Sequence, residues 1–200
     1  MTTSKKPSES AIAIRRREQV LSAAAECVRR EGFHRTSMSQ ISAAAGMSPG
    51  HIHHFFGGKE GIVAGIVARE RSELGQLIEN VQEATRNSDA ISAIISVFPT
   101  SAAWYMDTGN ASLSMEILAE SGRNPEVAKL VHENDDEVRG TFHELLGGAS
   151  PDVKFRCEII AALLEGLSAR ALRNTESASV VDQHMLQSVV RYILTLEKSE

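Results

Sequence analysis

The chain of 200 residues is 42% hydrophobic and 24% charged, with a formal net charge of −5, the balance of an ordinary globular protein long enough to bury a core. Its longest apolar runs, such as Ile159 to Leu164, fall far short of the roughly 18 residues a membrane span needs; the first ten residues hold no apolar leader-like stretch, so the expected location is the cytoplasm. The acidic total argues against nucleic acid until it is mapped: residues 1–60 hold nine Lys and Arg against five acids, a net of +4, and residues 61–200 a net of −9.

A basic head on an acidic body fits a protein that meets phosphate at one end only. Residues 1–10 read as a polar, disordered arm. From Ala11 to about Glu31, Ile14, Leu21, Ala24, Ala25 and Val28 recur at helical spacing, and Gly32 is the stop. Arg15, Arg16 and Arg17 lie near the start of this helix, where positive charge opposes the helix dipole. They are either a solvated charge run or phosphate contacts.

Ser37 and Gln40 have the spacing of a capping box, so a short helix is predicted from Met38, with Met38, Ile41 and Ala45 on one side and Gly46 at its end. Ser48 and Pro49 open a second short helix almost at once, a capping hydroxyl followed by a residue whose missing N–H is harmless there. So tight a connection is the helix-turn-helix arrangement, whose second helix can enter a DNA major groove. On that helix Ile52, Phe55 and Phe56 share the side that packs on the first. Pro49, Gly50, His51, His53 and His54 face outward, a small tip that lets backbone approach a base edge and imidazoles that can donate to phosphates or bases.

These residues resemble the DNA-binding motif of the tetracycline-repressor-like (TetR) family of bacterial transcription regulators. The likeness is carried by Gly32, Phe33, Thr36 and Ser37, then Ile41, Ala44, Ala45, Gly46, Ser48, Gly50, Phe56, Lys59 and Glu60, and it covers roughly residues 15–67. The family usually has a Tyr, commonly on a phosphate, where this chain has His53; an imidazole can take that role in a pH-sensitive way. The resemblance implies an all-α chain: a three-helix DNA-binding domain over 11–58 behind the arm of 1–10, then a helical effector-binding and dimerisation domain over 59–200. It implies a repressor that binds a palindromic operator as a homodimer and is released by a small-molecule effector, with no cofactor and no catalysed reaction. Thr36, Ser37, His53, His54 and Lys59 would hold phosphates, Pro49, Gly50 and His51 would face bases, and Ser48 belongs with this DNA-binding set.

After Gly57 and Gly58 a long amphipathic helix is predicted from Lys59 to about Ala84, its stripe formed by Ile62, Val63, Ile66, Val67, Leu74, Leu77, Ile78 and Val81. Such a helix can carry movement from body to head. Further helices are expected from Ser88–Asp89 to Asp107, kinked at Pro99; from Asn110 to Ser121; from Asn124–Pro125 to Leu146; from Ser150–Pro151 to Arg173; and from Ser177 to Leu196. Phe98, Trp104, Tyr105 and Met115, with His132 and Asp135 as polar partners, are either core or the wall of an effector pocket. The last two helices carry apolar residues on two faces, which means either full burial or a dimer interface through Phe155, Ile159, Leu163, Gly166, Met185, Val189 and Ile193.

The clustered histidines also suggest a metal-dependent sensor or helical enzyme as an alternative. His51 and His54 have ligand spacing, but no carboxylate or Cys stands nearby in sequence to complete a shell, so no metal is expected. No HExxH, P-loop, nucleophile-elbow or dinucleotide fingerprint occurs. Cys27 and Cys157 lie in apolar helical patterns and read as free buried thiols.

Overall fold

A computed structural model describes residues 11–174 and 181–196. Among the described residues the chain is all helix: α1 (Ala11–Arg35), α2 (Met38–Ala45), α3 (Pro49–Phe56), α4 (Lys59–Ala84), α5 (Ala90–Met106), α6 (Thr108–Ser121), α7 (Pro125–Leu145), α8 (Pro151–Arg173) and α9 (Gln183–Thr195). The expected arm of residues 1–10 and the expected helix start at Ser177 lie outside the described residues. Among the described residues two compact units form, divided between Val67 and Ala68, and α4 supplies its first turns to the head and the remainder to the body.

The head closes on the apolar sides read from the sequence, except that Ile14 near the start of α1 is 51% exposed. Val20, Leu21, Ala24 and Val28 of α1, Ile41 and Ala45 of α2, Ile52 and Phe56 of α3, and Ile62, Val63 and Ile66 of α4 are buried. Gly32 interrupts α1 at φ 77° and ψ 162°, a conformation that side chains rarely tolerate, and three residues of helix follow it to Arg35. The Gly32 carbonyl then accepts both the Thr36 hydroxyl at 2.8 Å and the Thr36 N–H at 3.2 Å. A second glycine is fixed by space: a Cβ on Gly61 would lie 1.9 Å from the Phe56 carbonyl oxygen, so only glycine allows so sharp a turn from α3 into α4.

In the body, Val81, Ala93, Ile94, Phe98, Ala102 and Met106 pack with Leu186, Val190 and Leu194 of α9. The helix α5 runs through Pro99, which has no N–H to give the Ile95 carbonyl one turn back. Gln187 of α9 supplies the missing donor, its Nε2 reaching that carbonyl at 3.0 Å. Asn124 and Ser150 cap α7 and α8 as expected.

Two starts differ from expectation. The helix α6 begins at Thr108 because Asp107 both ends α5 and accepts the Asn110 N–H, leaving the Asn110 amide to donate to the Trp104 carbonyl at 3.3 Å. The helix α9 begins at Gln183, capped by Asp182 through the Met185 N–H, so Val181 and Asp182 are not helical.

Candidate nucleic-acid interface

The interface is built on two capped short helices. Ser37 and Gln40 form the full capping box: the Gln40 N–H donates to Ser37 Oγ at 3.3 Å and the Ser37 N–H to Gln40 Oε1 at 2.7 Å. Gly46 in the left-handed region closes α2, Ser48 Oγ accepts the His51 N–H, and Pro49 opens α3. The turn between them is held from both sides, since Gln19 donates to the Ala45 carbonyl at 2.7 Å and Ser42 Oγ to the Met47 carbonyl at 2.6 Å.

Arg17 resolves the conflict noted at the start of α1. Its guanidinium donates to the Phe55 carbonyl at 3.0 Å and lies 4.9 Å from the centre of the Phe56 ring. The positive charge that its own helix disfavours is therefore spent on the carbonyl end of α3, where cations are stabilised. Arg15 and Arg16 are exposed, the latter donating to Gln19 at 3.1 Å.

Around α3, at about 100° per residue, Ile52 and Phe56 turn into the head and His54 points away from them, flanked by Gly50 and His51, with His53 toward one rim. Pro49, Gly50, His51, His53 and His54 are all exposed. Phe55 stands between two of the imidazoles: His51 stacks on its ring at 5.3 Å and His54 meets it edge-on at 5.7 Å. Ser37 and Ser48 are exposed at the two helix starts, and Lys59 is half-buried at the first position of α4. Thr36 differs from the rest. It is only 2% exposed and its hydroxyl is committed to Gly32, so its side chain fixes the approach to α2 and offers no hydroxyl to a phosphate.

Comparison with known proteins bears on this head and on the body behind it. Residues 20–66 match the family of bacterial regulatory proteins described as the tetR family, and residues 105–196 match the C-terminal domain of BetI-type transcriptional repressors. The chain belongs to the TetR family of transcriptional regulators. Over 157 residues it is 27% identical to the transcriptional regulator UidR of Escherichia coli K12, covering 78% of this chain and 75% of the relative. Among solved structures it is similar to Salmonella enterica GusR, with a TM-score of 0.72, 24% identity and coverage of 91% and 94% of the two chains. It is also similar to the regulator FadR from Bacillus subtilis in complex with stearoyl-CoA, with a TM-score of 0.67, 20% identity and coverage of 91% and 99%. As a TetR-family protein the chain is a DNA-binding transcriptional regulator.

The body of this TetR-family chain separates the residues expected to wall a pocket. Phe98 is buried in the core against α9 and His132 is exposed on α7. Trp104 and Tyr105 meet edge to face at 5.1 Å, and Met115 is half-buried on α6. Burial, then Glu165, Glu70 and Asp135, push the Tyr105 hydroxyl up to about 12. Asp135 itself pairs with Arg139. Burial raises Glu70 as well, opposed by a hydrogen bond from Ser114 Oγ. Glu165 is raised by partial burial, then by Asp135 and Glu158.

Glu70, Ser114 and Glu165 were missed in the sequence. One signal was present: Glu70 takes a position in the stripe Val63, Val67, Leu74, Leu77 and Val81, where an apolar residue belongs. An open cleft of about 330 Å³ between α4 and α7, lined by Arg71, Gln76, Asn134 and Glu137, contains none of the expected pocket residues.

The last two helices do carry two apolar faces. Inward, Ile160, Leu163, Leu164 and Leu167 of α8 pack on the cluster that holds Leu186, Val190 and Leu194 of α9. Outward, Phe155 is 65% exposed, Met185 69% and Tyr192 64%, with Ile159 and Val189 also exposed. Gly166 is exposed, and Leu163 and Ile193 are half-buried. Full burial of these helices within one chain is therefore not what the fold achieves.

Cys27 is buried and Cys157 half-buried, both free, and burial followed by Glu158 raises the Cys157 thiol. Among the described residues no helix is long and apolar enough to cross a membrane, and no group of three or more His, Cys, Asp or Glu is placed to hold a metal ion.

Proposed function

We propose that this protein is a cytoplasmic repressor that binds a two-fold symmetric operator as a homodimer, catalyses no reaction, and leaves DNA when a small molecule enters its body. The observation that carries the reading is the outer side of α3, where Pro49, Gly50, His51, His53 and His54 stand exposed and neither α2 nor α3 contains an acid to repel phosphate. In this reading Pro49, Gly50 and His51 meet base edges, while Ser37, Ser48, His53, His54 and Lys59 hold the backbone.

The homodimer is supported by the exposed apolar faces of α8 and α9, since contiguous apolar surface of this kind marks interaction sites. A pair of heads also gains register on paired half-sites. Release by a small molecule is supported by the stearoyl-CoA bound to the FadR neighbour and by Tyr105, which meets Trp104 and feels the charges of Glu165, Glu70 and Asp135. An effector can release DNA only by binding the non-DNA-binding arrangement better, so operator and effector should weaken each other by the same factor.

Selection from a pool of randomised duplex DNA tests the reading. It should enrich an inverted repeat whose half-sites lie about one helical turn apart or a multiple of that. Lys59→Ala should weaken binding to all duplexes alike and lower the salt slope by about 0.9 per head. Failure to enrich any sequence refutes the operator reading.

A further inference from the structure

From Thr36 to Gly58 the chain contains no Asp, Glu, Lys or Arg, and its only chargeable side chains are His51, His53 and His54. A helix presented to a polyanion thus carries no permanent positive charge of its own. The three histidines are not equivalent. His51 is the third residue of α3 and stacks on Phe55, whereas His53 and His54 lie in the last turn, beside the carbonyl end on which Arg17 is held.

The groups on the elements packed against α3 are few. From α1 comes Arg17, held on the Phe55 carbonyl and the Phe56 ring; from α4 come Lys59 and Glu60, whose carboxylate lies beside Gly58; α2 contributes no titratable group. No acid on α2 or α3 is available to neutralise an imidazolium before DNA arrives.

We propose that His53 and His54 bind the operator backbone as imidazolium ions, so that DNA binding takes up protons and tightens as pH falls. This rests on the assignment of α3 as the reading helix made above. The reference value of an imidazole is about 6.5, and a phosphate beside an imidazole favours the charged form and so raises that value. The sign follows: a group whose value is raised in the complex contributes fully below its free value and loses that contribution as pH rises through its bound value. For a rise of one unit from the reference value the affinity falls about sixfold per engaged histidine between pH 6 and pH 8, hence about 40-fold for the two histidines of one head and on the order of 1,000-fold for the four of a dimer. Each imidazolium that meets a phosphate also steepens the salt dependence by about 0.9 in log–log slope.

The test uses the full chain and a duplex selected by it from a randomised pool at pH 7, with dissociation constants measured by fluorescence anisotropy from pH 6 to 8 at fixed ionic strength. Wild type should weaken across that range and show a steeper salt slope at pH 6 than at pH 8. His53→Gln/His54→Gln should bind with a flattened pH profile and equal salt slopes, while His34→Gln, outside the proposed contact set, keeps the wild-type profile; all three positions are exposed, and circular dichroism checks that the fold is retained. A wild-type affinity that is flat from pH 6 to 8 overturns the inference and leaves the operator reading standing. A pH profile that survives in the double variant also overturns it, moving the proton to another group such as His34. An enriched operator is itself required, so failure to select any duplex would sink both.

Discussion

Pro99 and Gln187 offer a test of how the body is held together. In a helix the N–H of residue 99 would donate to the carbonyl of Ile95, and proline removes that donor. Gln187 Nε2 occupies the place at 3.0 Å. Ile95 is buried, so deleting the amide with Gln187→Ala leaves an unpaired acceptor and should destabilise the protein by about 1–3 kcal/mol. Pro99→Ala returns the backbone donor, and in that background Gln187→Ala should cost only its lost packing. The double-mutant cycle should therefore give a coupling of about 1–2 kcal/mol. Urea unfolding of the four proteins at one protein concentration measures it, because dimer formation makes apparent stability depend on concentration. If Gln187→Ala costs the same in both backgrounds, within about 0.3 kcal/mol, the amide is not replacing the bond that Pro99 lost.

Two further perturbations separate roles that packing alone would confuse. Gly166 is exposed and an added Cβ meets nothing within 4 Å, so Gly166→Arg should leave a single chain folded, with a helix-propensity gain of up to about 1 kcal/mol, yet break the proposed dimer by placing an unpaired charge in its interface. Analytical ultracentrifugation should then give monomer, and an intact dimer would remove Gly166 from the interface. Burial raises Glu70, so its ionised form opposes folding: that acid contributes stability below its unfolded value near 4.5 and loses it as pH rises through the raised folded value. Glu70→Gln keeps an acceptor for Ser114 and should raise Tm at pH 7 but not at pH 4; an equal shift at both pH values would refute the burial argument.

The head was legible because its signals are local. Ser37 with Gln40, Gly46, and Ser48 with Pro49 each act within a few residues, and each cap forms where its spacing placed it. The exception, Thr36, is also local, but its hydroxyl turned back to Gly32 and not outward. In the body, helix ends marked by Asn124–Pro125 and Ser150–Pro151 were legible for the same reason, whereas Asp107 was passed over because one residue serves two helices. The acids that act on Tyr105 come from α4, α7 and α8, and no spacing within one helix announces them.

Three residues nevertheless broke a local rule visibly: Arg17 near the positive end of its helix, Glu70 in an apolar stripe, and Pro99 within a helix. Each conflict meets a partner on another element, respectively the Phe55 carbonyl, Ser114 and Gln187, and only at Glu70 does burial outweigh what the partner returns. A local preference can be overridden only where tertiary structure returns comparable free energy, so such a violation marks the position of a long-range contact before its partner is known. The sequence separations of 38, 44 and 92 residues explain why the partners could not be named from the chain alone. By the same reasoning α3 is a further conflict in the proposed reading, a helix set against phosphate without a permanent cation of its own. If α3 reads DNA, its partners are the phosphates of the operator together with protons taken from solvent.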